Sequence, residues 1–429
     1  MSTPLKLEQR LYLLFVVMLP FASVPELAGY TGNVQIADVV LLVTGLVWFV
    51  LWLARKRSIV WNPAYIFLAA YALAVTLSAI FSVRPDQSAV KLVGKFYLIA
   101  IVFLTINIVT SLEILKSVLR AWLIGSGLVI LLSLVGIAAF YLGFNDANQN
   151  LVLHPIFGSL PPGRYPRIEG FFNYPSLLCN YLSITAAFLV LSVSMEWLSK
   201  RIAIAFGISL LVVDAFTLTP GLGGIFLAAG IFVWTRAERR IVGRIALSAG
   251  ILVAAVAFFA ASVTLFSNTV ADSGVPIATG EISRSHRAEA WRTSFQSFLQ
   301  SPILGRGIDV PVADSRFIDP SGNHQLLTDA HNTYLSVLAE TGIAGFFAFT
   351  AFLICVFKSL MRIRHRDSGI GFAATILLIA LVDACLYQGL TGSYEDTRHL
   401  WVLFAIAAAV IGVPRQRDLM RGREKKEAV

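Results

Sequence analysis

The feature that most constrains this chain is a series of apolar runs that leaves little sequence for anything but membrane helices. Most of the runs approach 20 residues, and a helix of about 20 apolar residues spans the roughly 30 Å hydrocarbon core of a bilayer. We count twelve runs, although the short pair on either side of Thr219-Pro220-Gly221 could form one broken segment and reduce the count to eleven. The runs cover residues 11–27, 34–54, 62–81, 88–110, 114–141, 171–194, 202–219, 221–235, 241–266, 331–357, 369–388 and 398–413.

Composition indicates the same class. Hydrophobic residues make up 57% of the chain and charged residues 14%, whereas a soluble domain carries roughly 25% charged residues. We predict an all-α polytopic membrane protein with a single membrane domain, 1–429, and one long polar interruption at 267–330. This segment is expected to form a partly helical loop between the ninth and tenth spans. The three cysteines lie in apolar runs without metal-ligand spacing and are expected to be buried.

The distribution of Lys and Arg predicts the orientation. With the N-terminus in the cytoplasm, most of the 34 basic residues fall in turns on that side, as cytoplasmic loops require. This pattern favours twelve spans, both termini in the cytoplasm, and loop 267–330 on the outer side. The first helix is expected to be retained, because residues 1–25 lack a clear cleavage site. The tail 414–429 is expected to be a basic cytoplasmic end attracted to lipid. The dispersed basic residues do not indicate nucleic-acid binding.

Every basic residue in the predicted outer loops is an arginine. A guanidinium binds phosphate through two parallel hydrogen bonds and keeps its charge, so this pattern favours an anionic ligand. The alternative is a solvated loop whose charges only keep it in water. Within the long loop, Trp291, Phe295 and Phe298 recur at helical spacing, which predicts an amphipathic helix. Such a helix packs beneath the loop, the commoner case, or lies on the membrane.

Two further groups of cations lie near predicted helix ends. Lys91 and Lys95 are four residues apart and share one face of the fourth helix near its outer end. A cation inside a span indicates function, and the alternative is snorkelling to the headgroups. Arg164 and Arg167 precede the sixth helix, whose first turn is predicted to contain Pro175. A helix N-terminus favours anions.

Four short patterns resemble those of one protein family. They are Arg167-x-x-Gly170-Phe-Phe-x-x-Pro175; Arg287-x-x-x-Trp291 followed by Ser301-Pro-Ile-Leu-Gly305-x-Gly307; His331-Asn-x-Tyr334-Leu-x-x-Leu338-Ala-Glu340-x-Gly342; and Glu395-Asp396-x-Arg398-x-x-Trp401. Over about residues 165–405 the chain resembles the O-antigen ligase and polymerase superfamily. The resemblance implies a bacterial inner-membrane protein of GT-C-like architecture, with about 12 transmembrane helices and one large periplasmic loop.

The resemblance also implies an activity. It is a metal-independent glycosyltransferase without a cofactor, which moves a glycan from undecaprenyl pyrophosphate to an acceptor hydroxyl on the periplasmic face. The acceptor is a lipid A-core sugar for a ligase, or a second lipid-linked repeat for a polymerase. The sequence does not separate the two, because both need the same donor site. The expected partners are therefore the lipid-linked donor, one of these acceptors, and membrane lipids.

The chemistry of such a transfer suggests residue roles. Negative charge develops on the departing pyrophosphate, and fixed guanidinium groups stabilise it; we predict Arg284, Arg287 and Arg167 for this role. His331 is predicted to be the base or the residue that orients the acceptor, with Asp329 as a helix cap or as the partner that orients the imidazole. The secondary candidates are Lys91, Lys95, Arg164, Arg292, Asn332, Tyr334, Glu340 and Arg398.

One position departs from the family pattern, and three alternatives stay open. The family commonly has Ser-Arg-Gly where this chain has Thr219-Pro220-Gly221, so another cation such as Lys91 or Lys95 would have to replace that arginine. Arg287 with Glu289 could be an ordinary surface pair. The chain could also be a secondary anion transporter, which the broken segment favours although we detect no internal repeat, or a non-catalytic binder of a lipid-linked glycan.

Overall fold

The computed structural model is mostly helical. It describes residues 5–21, 34–146, 149–154, 165–219, 221–236, 241–264, 275–277, 280–282, 286–318, 324–365 and 369–427. The helices are α1 (Leu7–Met18), α2 (Ile36–Leu53), α3 (Ala64–Ile80), α4 (Pro85–Ile108), α5 (Leu112–Tyr141), α6 (Pro175–Ser194), α7 (Lys200–Ala215), α8 (Leu222–Arg236), α9 (Ile241–Thr264), α10 (Arg287–Gln300), α11 (Thr333–Ile363), α12 (Gly369–Leu381) and α13 (Arg398–Glu427). A π-helical segment (Val382–Tyr387) and a 3₁₀ turn (Gln388–Leu390) follow α12.

Six helices in the described part of the chain are long and apolar enough to cross a membrane. They are Ile36–Leu53, Pro85–Ile108, Leu112–Tyr141, Pro175–Ser194, Thr333–Ile363 and Gly369–Leu390. Two further apolar helices, Ala64–Ile80 and Arg398–Gly412, are shorter. These findings agree with a polytopic membrane protein, while the number of twelve spans remains a prediction.

The apolar sequence around Thr219-Pro220-Gly221 forms two helices, α7 and α8, rather than one continuous helix. Leu218 between them has a left-handed backbone with φ of 51°, and the Thr217 Oγ1 hydroxyl donates to the Asp214 carbonyl at 2.6 Å. The turn is therefore stabilised locally. It lies against Cys179 of α6, whose Sγ would be 2.8 Å from a Cβ added to Gly221.

Two small antiparallel hairpins and α10 occupy the chain between α9 and α11. Strands β1 (Val275–Ile277) and β2 (Gly280–Ile282) pair with each other, as do β3 (Ser315–Ile318) and β4 (His324–Leu327). The segment 267–330 is thus partly helical, as the sequence indicated. Its placement outside the bilayer remains a prediction.

Three glycines with left-handed backbones join this segment to the membrane helices. Gly305, Gly307 and Gly342 have φ values of 73°, 114° and 63°. A Cβ at Gly305 would lie 2.2 Å from the Glu340 carbonyl carbon, and one at Gly307 would lie 1.9 Å from Ser82 Oγ. Only glycine tolerates both the backbone and the contact. The glycine-rich motif is therefore explained by close packing of residues 301–309 against the break in α11.

An aromatic cluster holds the loop that precedes α13. The Trp401 ring lies 6.1 Å from Tyr71 of α3 and 6.2 Å from Phe352 of α11, measured between ring centroids. Such pairs contribute about 0.5–1.5 kcal/mol each beyond simple burial. The Trp401 indole Nε1 donates to the Glu395 carbonyl at 2.7 Å. Packing in the helical core thereby fixes residues 391–397, which form one wall of the candidate site.

Candidate functional site

His331 lies directly before α11, in a turn that its neighbours define. Its backbone is left-handed, with φ of 46°, and its backbone N–H donates to Asp329 Oδ1 at 3.2 Å. The next residue, Asn332, caps the helix: its Oδ1 accepts from the backbone N–H groups of Tyr334 and Leu335 at 3.0 and 3.2 Å. The helix begins at Thr333, and its cap is Asn332 rather than Asp329. Of the two roles predicted for Asp329, helix cap is therefore wrong.

Asp329 instead organises the turn around the imidazole. Its Oδ1 accepts from the Ser393 hydroxyl at 2.6 Å and from the Ser336 hydroxyl at 3.2 Å. Its Oδ2 lies 3.7 Å from His331 Nδ1, which is too long for a hydrogen bond but close enough for a charge interaction. The carboxylate thus sits beside the ring nitrogen and favours its protonated form.

The segment around Tyr394 binds the start of α11. The Thr333 backbone N–H and hydroxyl both donate to the Gly392 carbonyl, at 3.0 and 2.9 Å. In return, the Tyr394 backbone N–H donates to Thr333 Oγ1 at 2.9 Å. The Tyr394 hydroxyl also donates to the carbonyl of Ser176, in the first turn of α6, at 3.4 Å. Tyr394 therefore connects the N-terminal turns of two helices.

Arg287 is the first residue of α10, and its charge reaches both other predicted site residues. Burial lowers the pKa of the His331 imidazole, Asp329 opposes this shift, and Arg287 adds to it. Burial likewise lowers the pKa of Arg167 to about 10, and Arg287 again adds to the shift. The pKa of Arg287 itself is lowered by burial, with Tyr394 opposing. The structure therefore places Arg287 within electrostatic range of both Arg167 and His331.

Arg167 is held by the loop that precedes α6. Its Nε donates to the Thr217 carbonyl at 3.2 Å, and the Ile168 backbone N–H donates to the Phe216 carbonyl at 2.9 Å. Ile168 also forms an isolated antiparallel bridge with Leu153. The loop therefore crosses the turn between α7 and α8, and α6 begins at Pro175 as the sequence predicted.

The N-terminal turns of α6, α10 and α11 converge near Tyr394. Each helix start presents backbone N–H groups and a partial positive charge. The half-buried Arg287 adds a full positive charge at the start of α10, and the half-buried Arg167 lies within electrostatic range of it. Because burial disfavours both cations, an anion bound there would offset their loss of hydration. A diphosphate is the kind of group that such a site can hold.

Lys91 and Lys95 lie on one face of α4, as predicted, and both pair with Asp396. The Lys91 Nζ is 3.0 Å from Asp396 Oδ2 and 3.2 Å from Asp309 Oδ1. The buried Lys95 ammonium pairs with the other Asp396 oxygen. These lysines thus have carboxylate partners within the protein, which makes them poor replacements for the arginine expected at Thr219-Pro220-Gly221.

Two more acids adjoin this charge cluster. Burial opposes ionisation of Asp396, but Lys95 and Lys91 outweigh it and lower the Asp396 pKa. Burial and the neighbouring Asp396 raise the pKa of Glu395 well above its ordinary value, and Asp329 and Glu340 contribute in the same direction. Glu340 lies in α11, and its backbone carbonyl accepts a hydrogen bond from the Ser78 hydroxyl at 2.7 Å. The cluster therefore extends from Lys91 to the Asp329 that adjoins His331.

The remaining predicted residues lie elsewhere or perform structural tasks. Arg292 is exposed and pairs with Glu289, so the surface pair expected for Glu289 forms with a different arginine. Arg398 donates twice to the Asp38 carboxylate, both times at 2.6 Å. The Tyr334 hydroxyl donates to the Cys385 carbonyl at 3.0 Å. Arg284 and Arg164 lie outside the described residues.

The sequence marks Glu395 and Asp396 as part of a family pattern but predicts no site role for residues 391–397. Ser393 and Tyr394 form hydrogen bonds with residues about 60 positions earlier in the chain. A local sequence pattern does not predict contacts over that separation. The pairing of Asp396 with Lys95 spans 301 positions. The sequence signal for this pairing is the presence of Lys91 and Lys95 inside a predicted span, because a buried cation requires a carboxylate partner.

The middle of the chain resembles a known protein family. Residues 202–350 match the model of the protein family described as O-antigen ligase, a family of membrane glycosyltransferase-like enzymes. No curated protein matches the chain. The matched segment contains Arg287, residues 301–309 and His331. Over residues 202–350 the chain is thus similar to the O-antigen ligase family, and the predicted resemblance to the O-antigen ligase and polymerase superfamily is confirmed.

Proposed function

We propose that this protein is an O-antigen ligase that transfers a glycan from undecaprenyl pyrophosphate to a lipid A-core sugar hydroxyl on the periplasmic face of the bacterial inner membrane. The observation that carries the proposal is the convergence of Arg167, Arg287 and His331 at three helix N-termini. Basic residues for a leaving pyrophosphate and a candidate base for an acceptor lie together in one place.

The two arginines are proposed to bind the donor. In the transfer, the bond between the anomeric carbon and the pyrophosphate oxygen breaks, and both electrons leave with that oxygen. Guanidinium groups fixed beside the departing oxygen stabilise its charge as it develops. The lowered pKa values of Arg167 and Arg287 show that burial works against both cations, and a bound diphosphate would offset this effect.

His331 is proposed to accept the acceptor proton. The acceptor oxygen forms the new bond to the anomeric carbon, and its proton passes to the imidazole. A base must be unprotonated before it acts, and burial and Arg287 both lower the His331 pKa toward this state. Asp329 lies close enough to stabilise the imidazolium that forms. No step in this scheme passes through a metal or a cofactor.

Product analysis tests the proposal and separates ligase from polymerase. Purified full-length protein in liposomes receives lipid-linked donor with lipid A-core, or donor alone. A ligase extends the core, whereas a polymerase lengthens the lipid-linked glycan without core. His331→Ala should abolish either product while still binding donor. His365→Ala, at the opposite end of α11 and exposed, is the matched control. Unchanged turnover by His331→Ala would remove the imidazole from the mechanism.

The interior of the helices does not favour the anion-transporter alternative. Buried polar groups between α6, α7 and the π-helical segment include Asp214, Asp383, Asn180 and Gln388. The Asn180 and Gln388 amides bond to each other at 2.9 Å, and Gln388 Nε2 donates to Asp383 Oδ2 at 3.3 Å. Two carboxyl groups at this place offer a passing anion no attraction. Uptake of a labelled anion into proteoliposomes would revive that alternative.

A further inference from the structure

Helix α10 packs Trp291 and Phe298 inward but leaves two other large apolar residues exposed. Phe295 and Leu299 are 48% and 58% exposed, and Ile303, just beyond the helix, is 65% exposed. The buried positions of the same helix are Ala290, Ser294 and Ser297. If this side of the helix faced water alone, polar residues would be expected at the positions of Phe295, Leu299 and Ile303. The exposed side of α10 therefore fits an apolar environment.

The exposed side of α10 also carries Arg292, Gln296 and Gln300, and its exposed large apolar residues lie toward the C-terminal end. Arg292, Phe295 and Leu299 recur at three- and four-residue intervals and so form one stripe on this side. Arg292 is exposed beside Glu289 at the N-terminal end of the stripe. Leu299 and Ile303 lie at the other end. Such a gradient fits a helix that descends from the headgroups into hydrocarbon.

This stripe is continuous with a helix that is itself long and apolar enough to span a membrane. The Ala344 backbone N–H of α11 donates to the Ile303 carbonyl at 3.2 Å, and the Ile343 N–H donates to the carbonyl of Pro302. Ile343 and Phe347 of α11 are exposed. Ile303 therefore adjoins a surface of α11 that lipid would cover in the membrane.

The inward side of α10 is already occupied by protein. The Ser297 hydroxyl donates to the Val312 carbonyl at 2.8 Å, and Phe298 packs against Val312, Ala330 and Ala339. The Trp291 ring lies 6.3 Å from Phe259 of α9. Among the described residues these contacts anchor the inward side of α10, and they fix the outward orientation of Phe295 and Leu299.

We propose that α10 enters the membrane surface at an angle, with Leu299 and Ile303 in lipid acyl chains and Arg287 at the headgroup level. The consequence, which rests on the proposed function, is that the pyrophosphate reaches Arg287 laterally on its lipid anchor rather than from solution. The lipid bilayer itself covers the exposed stripe. This choice follows from the continuity with α11 and from the polar end at Arg292.

Site-directed spin labelling tests the lipid contact without any donor. Single cysteines are introduced as Leu299→Cys and, as the control at the polar end of α10, Ala288→Cys. Cys179, Cys355 and Cys385 are replaced by Ala. The labelled proteins are reconstituted in phosphatidylethanolamine and phosphatidylglycerol vesicles. Relaxation of each label by oxygen, which concentrates in lipid, is then compared with relaxation by a water-soluble nickel chelate.

The label at 299 should be relaxed several-fold more by oxygen than the label at 288, and several-fold less by the nickel chelate. Equal nickel accessibility at the two positions would overturn the proposal. Ile303→Cys provides a second lipid-facing position if Leu299→Cys does not fold. Because no donor is present, the result is independent of glycan transfer. If α10 is embedded in lipid but the protein has no transfer activity, the proposed function is refuted and the proposed lipid contact of α10 is retained.

Discussion

Replacing Asp396 by Asn should be among the most destabilising single changes in the charge cluster beneath the site. Asp396 lies between Lys91, at 3.0 Å, and the buried ammonium of Lys95, whose side chain is 1% exposed. At 3.0 Å and an effective dielectric constant of 20, one such pair has an attraction of about 5–6 kcal/mol before the cost of removing both ions from water. Because Asn keeps the shape and loses the charge, Lys95 remains buried without its carboxylate.

The expected net loss is about 3–5 kcal/mol in the free energy of unfolding, the usual effect of removing one partner of a buried pair. The double variant Asp396→Asn with Lys95→Met removes both buried charges, and Lys91 still has Asp309 at 3.2 Å. It should therefore be more stable than Asp396→Asn alone. Unfolding is measured by titration with sodium dodecyl sulfate in mixed micelles.

Arg292→Gln is the matched control, because it removes an exposed pair with Glu289 and should leave the unfolding curve unchanged. The reasoning would be refuted if Asp396→Asn unfolded at the same sodium dodecyl sulfate concentration as the parent protein. It would also be refuted if the two substitutions in the double variant were simply additive, since additivity would mean that Lys95 and Asp396 do not interact.

Two further predictions concern the glycine contacts and the imidazole. Gly342→Ala should lower the unfolding temperature, because its φ is 63° and a Cβ would lie 2.3 Å from the Ile303 carbonyl oxygen. Gly94→Ala, which has open space, should be neutral or stabilising by up to about 1 kcal/mol; the same melting temperature for both variants would contradict this account. Transfer should persist below pH 6.5 and decline as His331 becomes protonated, because the His331 pKa is lowered. Asp329→Asn removes the charge that raises this pKa and should move the acidic limb of the rate profile to lower pH, so an unmoved limb would argue against His331 as the base.

The membrane class could be predicted because it depends on local composition. Runs of about 20 apolar residues are sufficient evidence for helices, and the predicted helix across Trp291, Phe295 and Phe298 is α10. Its orientation could not be predicted from spacing alone. Trp291 and Phe298 pack inward and Phe295 faces outward, and an apolar stripe does not reveal whether lipid or protein covers it.

The site could be predicted in part because its cations stand out in an apolar chain. Residue type and motif predict Arg167, Arg287 and His331, and the structure places Arg287 within electrostatic range of the other two. The roles of Ser393 and Asp396 depend on contacts between distant parts of the chain. The sequence predicts Asp329 as the helix cap or as the partner that orients the imidazole, but Asn332 caps the helix, because both side chains suit a cap position.

The most direct test of the account is the affinity of the purified protein for undecaprenyl pyrophosphate. A charge-assisted hydrogen bond contributes about 1.5–3 kcal/mol, so Arg287→Ala and Arg167→Ala should each weaken binding by roughly 10- to 150-fold. Arg316→Ala, which removes an exposed guanidinium 3.4 Å from Asp314, should leave the affinity unchanged. Parent-like binding by Arg287→Ala, or an equal loss in Arg316→Ala, would contradict a pyrophosphate site at these arginines.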